Sequence, residues 1–315
     1  MRLFANANYP FLEQRKRAYL ISAAALAIGL LSIAAHRGLD YGVDFTGGTL
    51  LQIRFVQTTS SAELRSAFGD VGFTKVQVQG FGGENEFLVR MAEFTEGGDR
   101  ELATLVDDLL ATRFGEGSYQ IVRTEGVGPR VGAELRQRAV YAVLISFLLT
   151  LLYLGFRFEW RFGLAAIVAT FHDVVIAFGL ISLFSIEISL ATVAAILTII
   201  GYSLNDTIVV FDRVRENLKK HRRQPYIVTL DESINETLPR TVVTSGTTLA
   251  VLLALATFGG AVIREFTIVL IIGVVIGTYS SIFVASPVLL EVETRSGGAR
   301  RGGSAERRKP AAASR

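Results

Sequence analysis

Two aspartates stand inside stretches of this sequence that are otherwise fit for hydrocarbon. Asp173 follows His172 in the run 162–184, and Asp206 lies in GYSLNDTIVVFDR (201–213), between Asn205 and Thr207. Arg240 heads another apolar run, in ETLPRTVVTSGTT (236–248). Ionisable side chains are costly in a membrane and usually face a bundle interior or an aqueous path. A carboxylate held there can take up and release a proton, because burial favours the neutral form and a neighbouring arginine the charged form. Moving one helix to separate such a pair changes proton affinity. That is the minimum equipment for coupling ion passage to motion, and it needs no cofactor.

Structural roles stand beside this one. Asp206 lies six residues before Asp212, so it can cap or brace a helix end. Arg240 can be an interfacial anchor, and His172 with Asp173 a structural hydrogen bond. Thr241, Thr244, Ser245, Thr247 and Thr248 can satisfy helix backbone or line a wet path. Glu187 is expected in solvent at a turn, and Glu265 near a membrane boundary. With no cysteine, disulfides and thiolate chemistry are excluded. His36, His172 and His221 are far apart, no zinc pattern stands out, and no nucleophile or paired acids outside the membrane suggest an enzyme. No metal, cofactor or nucleic-acid partner is expected.

The elements that must position these residues are apolar helices. Of 315 residues, 50% are hydrophobic and 19% charged, against roughly 25% charged in a soluble domain. Uncharged or nearly uncharged runs occupy 18–35, 139–156, 162–184, 188–211, 241–258 and 266–290. Each is about long enough to cross ~30 Å of hydrocarbon. The first, after Arg15, Lys16 and Arg17, also has the form of a signal peptide, but five later runs make a retained span more natural. Pro287 should kink or end the sixth. If six spans alternate, the basic segments fall on one side: Arg157 and Arg161, the stretch 212–223 with six Lys or Arg, and the tail 291–315 with seven. Residues 36–134, with 9 basic and 15 acidic residues, fall on the other. The positive-inside rule then puts both termini in the cytoplasm. Residues 212–240 read as a basic cytoplasmic loop able to lie against anionic headgroups.

Residues 36–134 read as a folded domain. LLQIRFV (50–56), TKVQVQGF (74–81), EFLVRMA (86–92) and SYQIVRTEGV (118–127) predict strands. Residues 60–68, with Ser60 as N-cap and Glu63 at the capping-box position, and 99–113, capped by Asp99, predict helices. Gly82-Gly83 makes a turn. The order β-α-β-β-α-β is the ferredoxin-like split pattern. The expected fold is therefore an α-helical polytopic membrane protein with six transmembrane helices and a ferredoxin-like α+β periplasmic domain between the first two. The divisions are 1–17, 18–35, 36–134, 135–290 and a disordered basic tail, 291–315. Asp44, Gly47 and Gly48 in DFTGG read as a tight turn into the first strand. Their spacing fits neither a dinucleotide fingerprint nor a phosphate loop. Gly128 and Pro129 read as a hinge before the second span. Gly273 and Gly277 form a small-xxx-small pair that permits close helix contact.

The motifs VDFTGG (43–48), Gly128-Pro129, His172-Asp173, GYSLNDTIVVFDRVREN (201–217) and ETLPRTVVTS (236–245) resemble the SecF family of bacterial protein-export membrane proteins. The resemblance covers nearly all of 10–290. It implies half of a resistance-nodulation-division transporter, in the cytoplasmic (inner) membrane, that pairs with SecD. It also implies association with the SecYEG channel and YajC, functional coupling with the ATPase SecA, and use of the proton motive force, or sodium in some relatives, in late steps of preprotein export. Asp206 matches the family's proton-pathway acid, with Asn205 beside it, and Arg240 matches the arginine before the fifth helix. Asp173 lies in a further family motif. The complete pathway is expected to need an aspartate from SecD. Two other readings stay open: an ion-coupled exporter of small apolar molecules or lipids, and a non-transporting assembly factor.

Overall fold

A computed structural model describes residues 7–70, 73, 76–81, 85–91 and 99–296. The Gly82-Gly83 turn, the Asp99 side-chain cap, the first residues of the 74–81 strand and the tail beyond 296 lie outside the described residues.

A single 3₁₀ turn, Phe11–Gln14, leads into α1 (Arg15–Ala35). One helical turn, α2 (Val43–Thr46), precedes β1 (Gly48–Phe55). Next come α3 (Ser61–Asp70), β2 (Gln77–Gly80), β3 (Glu86–Met91), α4 (Asp99–Phe114) and β4 (Tyr119–Val127). The chain then enters α5 (Pro129–Arg157), α6 (Trp160–Leu183), α7 (Leu190–Lys220) and α8 (Tyr226–Phe258). It closes with α9 (Ala261–Ser280), a π-helical segment Ser281–Ala285 and α10 (Ser286–Arg295). Among the described residues, six helical stretches are long and apolar enough to span a membrane.

The sheet has the order β2-β3-β1-β4, every neighbour antiparallel. This is the expected split pattern. Alternation along β1 sends Leu51, Ile53 and Phe55 to one face, where they pack with Phe87 and Val89 under Leu64 and Phe68 of α3 and Val106 and Leu110 of α4. Ser60 caps α3 by accepting from the Glu63 N–H at 3.1 Å. The opposite face carries Leu50, Gln52, Leu88 and Arg90 and looks onto the ends of the membrane helices.

In the bundle, α6, α7 and the sixth span form the centre, while α1, α5 and α8 leave most of their apolar surface uncovered. Small residues set the spacing. A methyl group on Gly277 would sit 3.1 Å from Cα of Ser203, and one on Gly273 would run into the side chain of Ile199, so α9 lies directly on α7 along this pair. Gly29 and Gly179 bring α1 equally close to α6, and Ser32 and Ser182 hydrogen-bond beside them at 3.1 Å.

Two boundaries differ from expectation. The stretch 212–240 is not a loop: α7 continues to Lys220 and α8 begins at Tyr226, forming a helical hairpin. Its charges pair across the hairpin rather than facing water singly. Arg213 bridges Glu216 and Glu236, both at 2.6 Å, and Asn217 donates to Ser233 at 3.1 Å and Glu236 at 2.6 Å. Val214, Leu230 and Ile234 are buried between them. The second difference is at Pro287. Regular α-helix stops at Ser280, but the chain stays helical to Arg295 through the π segment. Proline has no N–H and crowds the carbonyl four residues back, and a widened turn relieves both. Ser286 supports it by donating to the Ser281 carbonyl at 3.0 Å.

Gly277→Leu should force α9 off α7 and destabilise the detergent-purified chain by about 1–3 kcal/mol or more, as overpacking does. Gly155→Ala, with open space around it, should not. Thermal unfolding of the two variants checks this, and equal midpoints would contradict the close-packing role.

Candidate functional site

The two intramembrane aspartates have opposite surroundings. Asp173, on α6, is 1% exposed. One of its oxygens faces His172 Nδ1 at 2.8 Å. The other accepts from Ser280 of α9 at 2.6 Å and from Ser203 of α7. Its carboxylate therefore joins three helices and has its acceptor capacity filled. With Nδ1 donating, the neutral imidazole presents Nε2 as an acceptor, and that buried atom has no hydrogen-bond partner.

Asp206, on α7, is 3% exposed, yet among the described residues it accepts one side-chain hydrogen bond, from Ser245 of α8 at 3.4 Å. Ser245 is contested. Its hydroxyl also lies 2.7 Å from Thr278 Oγ1 and receives a bond from Tyr202 at 3.3 Å. Thr278 in turn can donate to the Val274 carbonyl at 2.7 Å. A hydroxyl has one proton: Ser245 keeps it for Asp206 when Thr278 donates to Ser245, and gives it up when Ser245 donates to Thr278. The Asp206 carboxylate is thus buried and weakly held. A protonated Asp206 could instead donate into the same network.

Arg240 does not touch Asp206. Among the described residues no ion pair within 4.0 Å joins them, although the guanidinium acts on the carboxylate through space. Arg240 and Asn205 are both exposed on the isolated chain. Asn205 belongs to a stripe of small and polar residues on α7, with Ala194, Thr198 and Gly201, that no element of this chain covers.

The remaining motif residues meet at the sheet-side end of the bundle. Gly47 and Gly48 have φ of 74° and 119°, open to glycine. A side chain on Gly47 would also strike Pro129, 2.7 Å away. Gly128 serves as N-cap of α5 and Pro129 as its first residue, so the anticipated hinge is a packed junction between α2 and α5. Asp44 accepts from the Leu190 N–H at 2.9 Å, capping the start of α7. Glu187, expected in free solvent, instead pairs with Arg90 of β3. Burial pushes the Arg90 guanidinium below its ordinary range, against the pull of Glu265, Asp40 and Asp44. Sequence reading did not find Ser203 and Ser280 as partners of Asp173, nor the Arg90–Glu187 pair. Serine is too common in spans, and the ion pair joins residues 97 positions apart. Among the described residues no group of three or more His, Asp or Glu is placed to hold a metal.

Six apolar helices, with one sheet domain at one end, define a multi-pass membrane protein. Comparison with known proteins sharpens this. Residues 108–295 match the family described as protein export membrane protein SecD/SecF, C-terminal, and residues 33–59 match the SecD/SecF GG motif. A relative from Gemmatimonas aurantiaca, protein translocase subunit SecF, is 46% identical over 301 residues, covering 94% of this chain and 90% of its own. The crystal structure of SecDF, a translocon-associated membrane protein from Thermus thermophilus, is similar with a TM-score of 0.84 and 39% identity over 94% of this chain. A SecDF structure in a super-membrane-facing form has the same 39% identity but a TM-score of 0.67 over 93% of the chain. This chain spans 40% of the length of each SecDF chain. The chain belongs to the SecD/SecF family of protein export membrane proteins, and its curated relatives are SecF subunits.

Asp173→Leu would leave His172 and Ser203 without their shared acceptor, each orphaned group costing about 1–3 kcal/mol. Asp173→Asn keeps the shape and one acceptor and should lose less. Thermal unfolding of both variants decides; equal losses would show that the acceptor does not matter.

Proposed function

We propose that this chain is a SecF-type subunit of the Sec translocation machinery. It works with a SecD-type partner in the bacterial cytoplasmic membrane, and proton passage at Asp206 powers late steps of preprotein export. Asp206 is the exchanging acid, Arg240 the charge that tunes it, and Asn205 its neighbour on the partner-facing side. Asp173 is the bolt that holds α6 to α7 and α9. The observation that carries this reading is the contrast between the two buried aspartates: one is saturated with donors, the other holds a single long hydrogen bond from a hydroxyl with a competing acceptor.

Protonating Asp206 removes its attraction for Arg240 and lets it donate where it accepted, so the contacts between α7 and α8 change. One proton crossing ~100 mV releases ~2.3 kcal/mol, enough to bias a modest conformational equilibrium. The uncovered stripe on α7 supports a second six-helix half as partner, because small residues in a membrane allow close helix approach. The charge bias supports a periplasmic sheet domain and cytoplasmic termini, with the paired hairpin and basic segments inside. SecYEG, YajC and SecA follow from family membership as further partners.

The test is preprotein translocation into vesicles holding this chain, SecD and the channel, with ATP present and the proton gradient on or off. At equal assembly, Asp206→Asn should keep the basal rate and lose gradient stimulation. Full stimulation of that variant would reject the proton role. Stimulation of the intact protein by a sodium gradient alone would replace the ion but keep the mechanism.

A further inference from the structure

Three attachments tie the sheet domain and its linker to the membrane helices. Gly42 donates to the Ile188 carbonyl at 2.9 Å, and Ile188 donates to the Asp40 carbonyl at 2.7 Å, so the linker pairs with the α6–α7 connection like a short strand. Asp44 caps α7 at Leu190. Arg90, in the middle of the sheet, pairs with Glu187. The first two fasten the linker to the end of α7. The third reaches from the folded domain itself.

Arg90 faces a second carboxylate. Glu265, in the first turns of α9, lines the same cavity of about 200 Å³ between the sheet and the bundle, and it interacts with Arg90 through space. It is not within 4.0 Å of that guanidinium, and the Arg90 Nε is buried without a partner. Among the charges around Arg90, which include Asp40 and Asp44 of the linker, Glu187 is fixed to the start of α7 and Glu265 is carried on α9. These are the helices that meet along Gly273 and Gly277, where the side chain of Ile199 and the backbone of Ser203 fill the space the glycines leave. Asp206 sits on α7, sixteen residues from Leu190 and about 24 Å along an α-helix, with no proline between them. A displacement at Asp206 would arrive at Leu190 undamped.

We infer that Arg90 is a two-position catch and a positioning residue for ion-coupled export. It holds Glu187 in the arrangement described here and transfers to Glu265 when α7 and α9 shift, moving the sheet domain relative to the bundle. Discrete exchange of ion-pair partners at an interface is a known way for small shifts to become domain motions. The inference rests on the ion-coupling reading of Asp206.

The experiment uses the full chain assembled with SecD and the channel, comparing translocation with the gradient on and off. Glu265→Gln should keep the gradient-independent rate and lose the gradient-dependent increment, and Glu265→Asp should restore it. Loss of the increment in Asp206→Asn but full retention in Glu265→Gln would overturn the catch alone. Retention in both would overturn the ion-coupling reading and the catch with it. Because the chain has no cysteine, a second measurement needs no prior engineering. Spin labels at Gln79→Cys and Arg264→Cys should report a different distance in the intact complex and in Asp206→Asn, and the difference should vanish in Arg90→Gln. Identical distances with and without the Asp206 charge would equally overturn the proposal.

Discussion

The structure depends on how much solvation each intramembrane carboxylate is given. A charge in an apolar bundle must be matched by donors, neutralised by a proton or reached by water. At Asp173 the bundle supplies donors from two other helices and the adjacent histidine, and in doing so fixes how α6, α7 and α9 sit together. At Asp206 it supplies almost nothing. The first carboxylate consumes polar groups to make a joint. The second is left with a single long hydrogen bond from a shared hydroxyl.

That division needs close helices, and the small residues provide them. Gly277 lets α9 press against α7 at Ser203, and Ser280, one turn further along α9, reaches the same Asp173 carboxylate that Ser203 does. Hydroxyls and glycines thus act together: the glycines set the distance and the serines fill the acceptors. Where α8 meets α7, no such pair of donors forms. Ser245 is shared among Tyr202, Thr278 and Asp206, so the polar contact between α7 and α8 at this level runs through one hydroxyl.

Much of this was legible in the residues, for identifiable reasons. Six apolar runs of spanning length read as membrane helices, and the β-α-β-β-α-β order of the patterned segments predicts the split sheet that forms. Asp206 and Asp173 stand out because charge in such runs is rare. What could not be read depends on distant pairing. The hairpin of α7 and α8 looks like a polar loop one residue at a time, since Glu236 of α8 meets Arg213 and Asn217 of α7 only once the two helices fold together. Glu187 looks like a solvent residue until Arg90 of β3 is folded over it. The GG motif reads as a tight turn and the GP pair as a hinge, yet Gly47 lies so close to Pro129 that a single methyl group on it would not be accommodated.

These features constrain how a proton could do work. An exchange at Asp206 changes local bonding to α8, but α8 contains Pro239 and the sixth span contains the π segment, and both can absorb movement along their length. α7 has neither a proline nor a π segment. Its start is capped by Asp44 and bracketed by the strand-like pairing at Ile188, so its far end is coupled to the domain linker by several bonds rather than by a free loop. α7 is therefore the stiffer connection between the level of Asp206 and the domain linker, and the sheet has its own core on α3 and α4, separate from the core of the bundle.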